Sequence, residues 1–208
     1  MRILGLILFF LVGECSEVAG IITMTRTFNR ISPRRYENFL IEAVKEGKEE
    51  IVKNLVERGC NVNAKGIDGK TSLMFAIDMG HESIVKYLLG HHCDVDAQTI
   101  GDGFSALLLA CLKDYENIAE MLINFGANVN ATNVDGDTPL MFAVNNKNIN
   151  LVKKLILRGA KVDHENINGL TPVSVALACY KAARRREQTD WKRIINLLIY
   201  SFDMRFIR

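Results

Sequence analysis

The sequence predicts an all-α solenoid, built from stacked helix–turn–helix units joined by short β-hairpin loops. Three observations lead there. An Asp-Gly or Asn-Gly dipeptide recurs at Asp68-Gly69, Asp102-Gly103, Asp135-Gly136 and Asn168-Gly169, with spacings of 34, 33 and 33. A valine recurs at Val62, Val95, Val129 and Val162, with spacings of 33, 34 and 33. Two independent landmarks that keep one period mark a repeat architecture. The third observation is composition: of 208 residues, 49% are hydrophobic and 24% charged. That balance excludes a disordered or collagen-like chain. Net charge is only +2, from 26 basic and 24 acidic residues, so no nucleic-acid partner is expected.

Taken in order, the chain opens on a segment that stands apart. Arg2 is followed by an apolar run from Ile3 to Val12, then by the small residues Val18-Ala19-Gly20. This is the pattern of a secretory signal peptide over residues 1–20. Ten residues reach about half of a ~30 Å hydrocarbon core, so no stable membrane span is expected. Two other readings stay open: a natural start at Met24, with the preceding residues an upstream extension, and a retained anchor. Residues 21–34 form a basic lead-in with Arg26, Arg30 and Arg34.

The repeat body covers residues 35–202, in units of about 35–67, 68–100, 101–134, 135–167 and 168–202, with 203–208 as a tail. After each glycine landmark comes Thr71-Ser72-Leu73, Ser105-Ala106-Leu107, Thr138-Pro139-Leu140 or Thr171-Pro172-Val173. A Thr or Ser before Pro is a helix start, because the hydroxyl caps free N–H groups and Pro fits the first turn. A helix of about nine residues follows, with Ala76, Ala110, Ala143 and Ala176 at one fixed position. Small alanines there let a neighbouring helix approach closely. A turn such as Gly80-His81 leads to a second apolar-periodic helix, as in Ile84–Leu89. It closes on Gly59, Gly126 or Gly159, the usual left-handed C-cap.

These units resemble ankyrin repeats, with the pattern G-x-T-P-L-x-x-A…G-A-x-V-N; the unit from Asp135 to Val162 matches best. The departures carry information. The first unit lacks the Thr-Pro entry and begins at Ser32-Pro33, which suits a cap. The third has one extra residue near Gly101, and Ala106 in place of Pro. His92 stands where glycine is expected and so takes a left-handed conformation. The fifth has an insertion, Lys181 to Asp190, before a last helix from Trp191 to Tyr200.

The resemblance implies a concave face, made of hairpin tips and first-helix surfaces, that binds a protein partner of unknown identity. No cofactor and no enzymatic activity are expected, and a monomer is. The tip positions are Ile67, Asp68 and Lys70; Ile100, Asp102 and Phe104; Val134, Asp135 and Asp137; and Ile167, Asn168 and Leu170. The exposed first-helix positions are Asp78 and Met79, Leu112 and Lys113, Asn145 and Asn146, and Ala178 and Cys179. Phe104 and Leu112, bordered by Asp102, Asp135 and Asp137, suggest an apolar spot with an acidic rim for a basic or mixed peptide. A structural alternative stays open, in which Ile67, Ile100, Val134 and Ile167 pack along the hairpins and Phe104 packs inward.

Other constellations carry less. His91-His92-Cys93 with Cys60 would need a converging fourth ligand to hold zinc, so helix-end histidines are expected instead. Cys60 and Cys93 are one repeat apart, beyond the ~7 Å Cα limit for a disulfide. Unpaired thiols suit a reducing compartment, cytoplasmic or nuclear, and conflict with the leader. A secreted effector or toxin-like protein is the alternative if residues 1–20 are functional. Gly101-Asp102-Gly103 lacks the glycine and lysine of a phosphate loop. The basic cluster Lys181, Arg184, Arg185, Arg186, Lys192 and Arg193 reads as a solvated loop, a nuclear-import signal or a dock for an acidic partner.

Overall fold

The computed structural model describes residues 33–206, with side chains described for 37–201. The chain divides into Met1–Tyr36 and Glu37–Arg208. The leader, Arg26 and Arg30 lie outside the described residues. So do the side chains of Arg34 and Arg35 and those of the tail.

Ten helices are present among the described residues, two per unit. They are α1 (Pro33–Lys45) and α2 (Glu49–Glu57), α3 (Ser72–Asp78) and α4 (Glu82–Leu89), and α5 (Ala106–Leu112) and α6 (Glu116–Asn124). The fourth and fifth pairs are α7 (Pro139–Asn145) with α8 (Ile149–Leu157), and α9 (Pro172–Ala182) with α10 (Gln188–Phe206). First helices stack on first helices, α3 on α5 on α7 on α9. Second helices do the same, α2 on α4 on α6 on α8 on α10.

Each unit is built by the same local chemistry. Thr71, Ser105, Thr138 and Thr171 sit in extended backbone, and each hydroxyl accepts the N–H three residues on. Because the N-cap and C-cap residues both lie outside the helix, the central first helices have seven residues rather than about nine. Each then closes on the fixed alanine. The amides of Lys48, His81, Tyr115 and Asn148 donate to the carbonyls of Ala43, Ala76, Ala110 and Ala143 at 2.9–3.0 Å. That closure needs a left-handed residue, filled by Gly47, Gly80, Asp114 and Lys147. The alanines themselves are buried where neighbouring helices meet.

A polar spine fastens the units. The Asn63 side chain donates to the His92 carbonyl and accepts from the Asp94 amide. Asn130 does the same with the Gly159 carbonyl and the Lys161 amide, and Asp96 accepts from the Asn128 amide. Each holds the left-handed end of the next unit's second helix, where the backbone groups would otherwise lack partners. His92 takes that conformation at φ 54°, as its glycine-equivalent position requires.

The fifth unit departs from the sequence expectation. The irregular stretch between its helices is only residues 183–187, because α9 runs on to Ala182 and α10 starts at Gln188. Helix α10 also outruns Trp191–Tyr200 and takes in residues to Phe206. Trp191, Ile194 and Leu198 form a buried stripe at helical spacing, which holds α10 against the stack. No helix among the described residues is long and apolar enough to cross a membrane.

Candidate functional site

The hairpin tips form the most regular surface of the stack. The tips are turns rather than strands; two isolated bridges, Lys65 with Thr71 and Gln98 with Ser105, are their only ladder contacts among the described residues. In three hairpins an amide bonds the carbonyl four residues on: Gly66 to Lys70, Asn133 to Asp137 and Asn166 to Leu170. In the third unit Thr99 bonds Phe104, five residues on, so the extra residue near Gly101 widens that tip.

The tips are stitched to one another through backbone. The amides of Ile100, Val134 and Ile167 donate to the carbonyls of Asp68, Asp102 and Asp135 at 2.9–3.1 Å. The aliphatic side chains stand outward. Ile67 is 104% exposed, Ile100 71%, Val134 59% and Ile167 71%. This limits the alternative in which these four pack along the hairpins: Ile100 lies over Gly69 and Val134 beside Gly103, while most of each side chain faces outward. Asp68, Asp102 and Asp135 are exposed beside them. The result is a ladder of aliphatic–acid pairs, one per unit, ending in Ile167-Asn168.

Several expected surface residues have structural duties instead. Phe104 is half-buried, with its ring 5.8 Å from that of Phe142, so it is not an exposed anchor. Asp78 keeps only 15% of its side chain exposed and joins Lys70 at 2.7 Å and Lys113 at 3.4 Å. This triad ties the second unit to the third, and the hydrogen bond that Lys70 donates to Asp78 raises the Lys70 pKa. None of its members is an unengaged charge for a partner. Asp137 accepts a 2.7 Å bond from Asn166. Asn146 donates to the Cys111 carbonyl at 2.8 Å, closing the end of α5. Asp102 retains exposure while accepting from the Thr99 hydroxyl.

Among the named first-helix positions, Met79, Leu112, Asn145 and Ala178 are exposed, and Lys113, also exposed, is held by Asp78. The tip and first-helix residues were nameable from repeat register. Which of them are free was not, because the Asp78–Lys113 and Asn146 bonds cross units and the Asn166–Asp137 bond joins residues 29 positions apart.

The histidine–cysteine region is structural. Nδ1 of His91 lies 2.8 Å from the Tyr87 carbonyl, at the end of α4, and its ring rests on that of Tyr87. No group of three or more His, Cys, Asp or Glu among the described residues is placed to hold a metal ion. Cys60, Cys93, Cys111 and Cys179 are unpaired. Burial pushes the Cys93 thiol up to about 11 and raises Cys60 and Cys111 as well. Such thiols are weak nucleophiles near neutral pH.

A model of the ankyrin repeats matches in three overlapping copies, over residues 21–99, 89–166 and 107–185. The chain belongs to the ankyrin-repeat family. No curated protein matches it. Ankyrin repeats are generally protein–protein interaction modules, and the family is typically non-enzymatic. The last copy ends inside the basic loop, ahead of α10, where the chain leaves the shared pattern.

Proposed function

We propose that this ankyrin stack is a small adaptor or regulatory module. It captures an extended partner segment that alternates aliphatic and basic residues. The ladder of Ile67, Ile100, Val134 and Ile167 with neighbouring carboxylates carries this reading. Fully burying one such side chain is worth about 1.5–3 kcal/mol. Four outward aliphatics on a stitched backbone therefore leave that gain to a partner. Rim carboxylates select and steer a cationic partner more than they add affinity. The four unpaired thiols support a reducing, cytoplasmic or nuclear setting.

Peptide display against the immobilised chain tests this. Enriched peptides should pair Lys or Arg with aliphatic residues. Ile100→Asp with Val134→Asp should weaken them at least tenfold, with the melting temperature unchanged. Asp102→Lys with Asp135→Lys should slow association and flatten its salt dependence. Enrichment of unrelated sequences, or equal binding by the variants, would overturn the proposal.

A further inference from the structure

The fifth unit carries a feature that tip-based capture does not use. Its first helix has eleven residues against seven in the central units, so it projects past the row of turns. Beyond it, residues 184–187 form a tight turn, closed by the Glu187 amide on the Arg184 carbonyl at 2.9 Å. Six cations lie here: Lys181, Arg184, Arg185, Arg186, Lys192 and Arg193, all exposed. The acids within this stretch are Glu187 and Asp190, and Asp190 is engaged by Lys147 at 3.6 Å. The side chains of the four arginines make no ion pair with another described residue. The platform is anchored from below by buried Trp191 and Ile194.

We infer that this basic platform is a second docking surface, opposite in charge to the tips, for an acidic run of Asp and Glu in a partner protein. Arginine forks pair carboxylates bidentately, which gives such a contact geometry as well as charge. Spacing favours this occupant over the tips of a second copy of the chain, and the adjacent acids Glu49 and Glu50 of such a copy already pair with Lys53. Consecutive arginines have Cα atoms 3.80 Å apart, matching consecutive carboxylates. The tip carboxylates stand one repeat apart, roughly 8–10 Å from helix-layer spacing. A nucleic acid fits less well. The cations occupy one unit rather than a stripe along the stack, and the exposed ring of Tyr200 lies about two turns beyond Arg193 on α10 rather than between the arginines. Trp191 is buried, and the Tyr180 ring has Lys192 over it at 6.0 Å. Single-strand binders instead stack bases on open rings.

The test is fluorescence anisotropy of a labelled eight-residue Glu/Asp peptide against the full chain, at 50 and 200 mM salt. Binding should weaken with salt, and Arg184→Gln/Arg185→Gln/Arg186→Gln should weaken it at least tenfold at the lower salt. Circular dichroism should show that variant folded, since the three side chains are exposed. Should it unfold, the single Arg185→Gln variant should still lose at least threefold. Asp102→Asn with Asp135→Asn should leave peptide binding within twofold. Undiminished binding by both arginine variants would overturn the inference. So would tighter binding of an oligonucleotide of equal charge. A mass increase with chain concentration that the triple variant abolishes would overturn it in favour of self-association.

Discussion

The second and fifth units share a motif and differ in what surrounds it. Ile77 in α3 and Leu177 in α9 hold the same position, yet Ile77 is 0% exposed and Leu177 is 41% exposed. In the central units the first helix ends where the alanine carbonyl captures the turn. In the fifth, α9 continues for four more residues and leaves through an extended Ala183. Gly69 lies under Ile100 of the next tip, whereas Gly169 has nothing over it. In a solenoid each unit touches only its neighbours, so its stability is its own plus its interfaces. Among the described residues no further unit packs against the fifth, and there its first helix is partly exposed and its loop diverges.

The largest contrast should come from that shared position. Ile77→Ala should cost about 2–5 kcal/mol in urea unfolding, as buried large-to-small changes do. Leu177→Ala should stay within about 1 kcal/mol, nearer the range of surface changes. Equal losses would mean that α9 is covered in solution and would break the comparison.

A smaller contrast lies at the tips. A Cβ on Gly69 would meet the Ile100 amide nitrogen and Cγ1, each at 2.7 Å. A Cβ on Gly169 meets nothing within 4 Å, and both glycines have positive φ. Each Gly→Ala change should therefore cost about 1–2 kcal/mol for the left-handed backbone. At Gly69 the loss should be larger, because the stitch from Ile100 to Asp68 must shift. Thermal melts of the two variants check this, and a greater loss at Gly169 would sink it.

The smallest effect should be a gain. His92 and Lys147 hold left-handed backbone at φ 54° and 58°. His92→Gly should stabilise by about 0.5–1 kcal/mol, the left-handed penalty less the entropy cost of glycine. Lys147→Gly should gain less, because it also removes the exposed bridge to Asp190, worth at most about 1 kcal/mol. Urea midpoints of the two variants would separate these terms.

Much of this architecture was legible in residue order. The caps at Thr71, Ser105, Thr138 and Thr171 were readable because a hydroxyl three residues from an amide is a local event. So were the left-handed end at His92 and the widened third tip. The length of α9 and α10 was less so: Lys181 to Asp190 breaks the repeat register, and only the structure shows α10 starting at Gln188 and running past Tyr200 to Phe206.

The candidate surface divides along the same line. Register alone placed Ile67, Asp68, Ile100, Asp102, Val134 and Asp135 at the tips, since a 33-residue period fixes which residues reach the same point of each unit. Only the tertiary structure decided which of the named residues are open. The Phe104 ring meets Phe142, Asp78 meets Lys113, and Asn146 meets Cys111, all across a unit boundary. Sequence determines a repeat through contacts within a few residues; exposure depends on neighbours about 33 positions away.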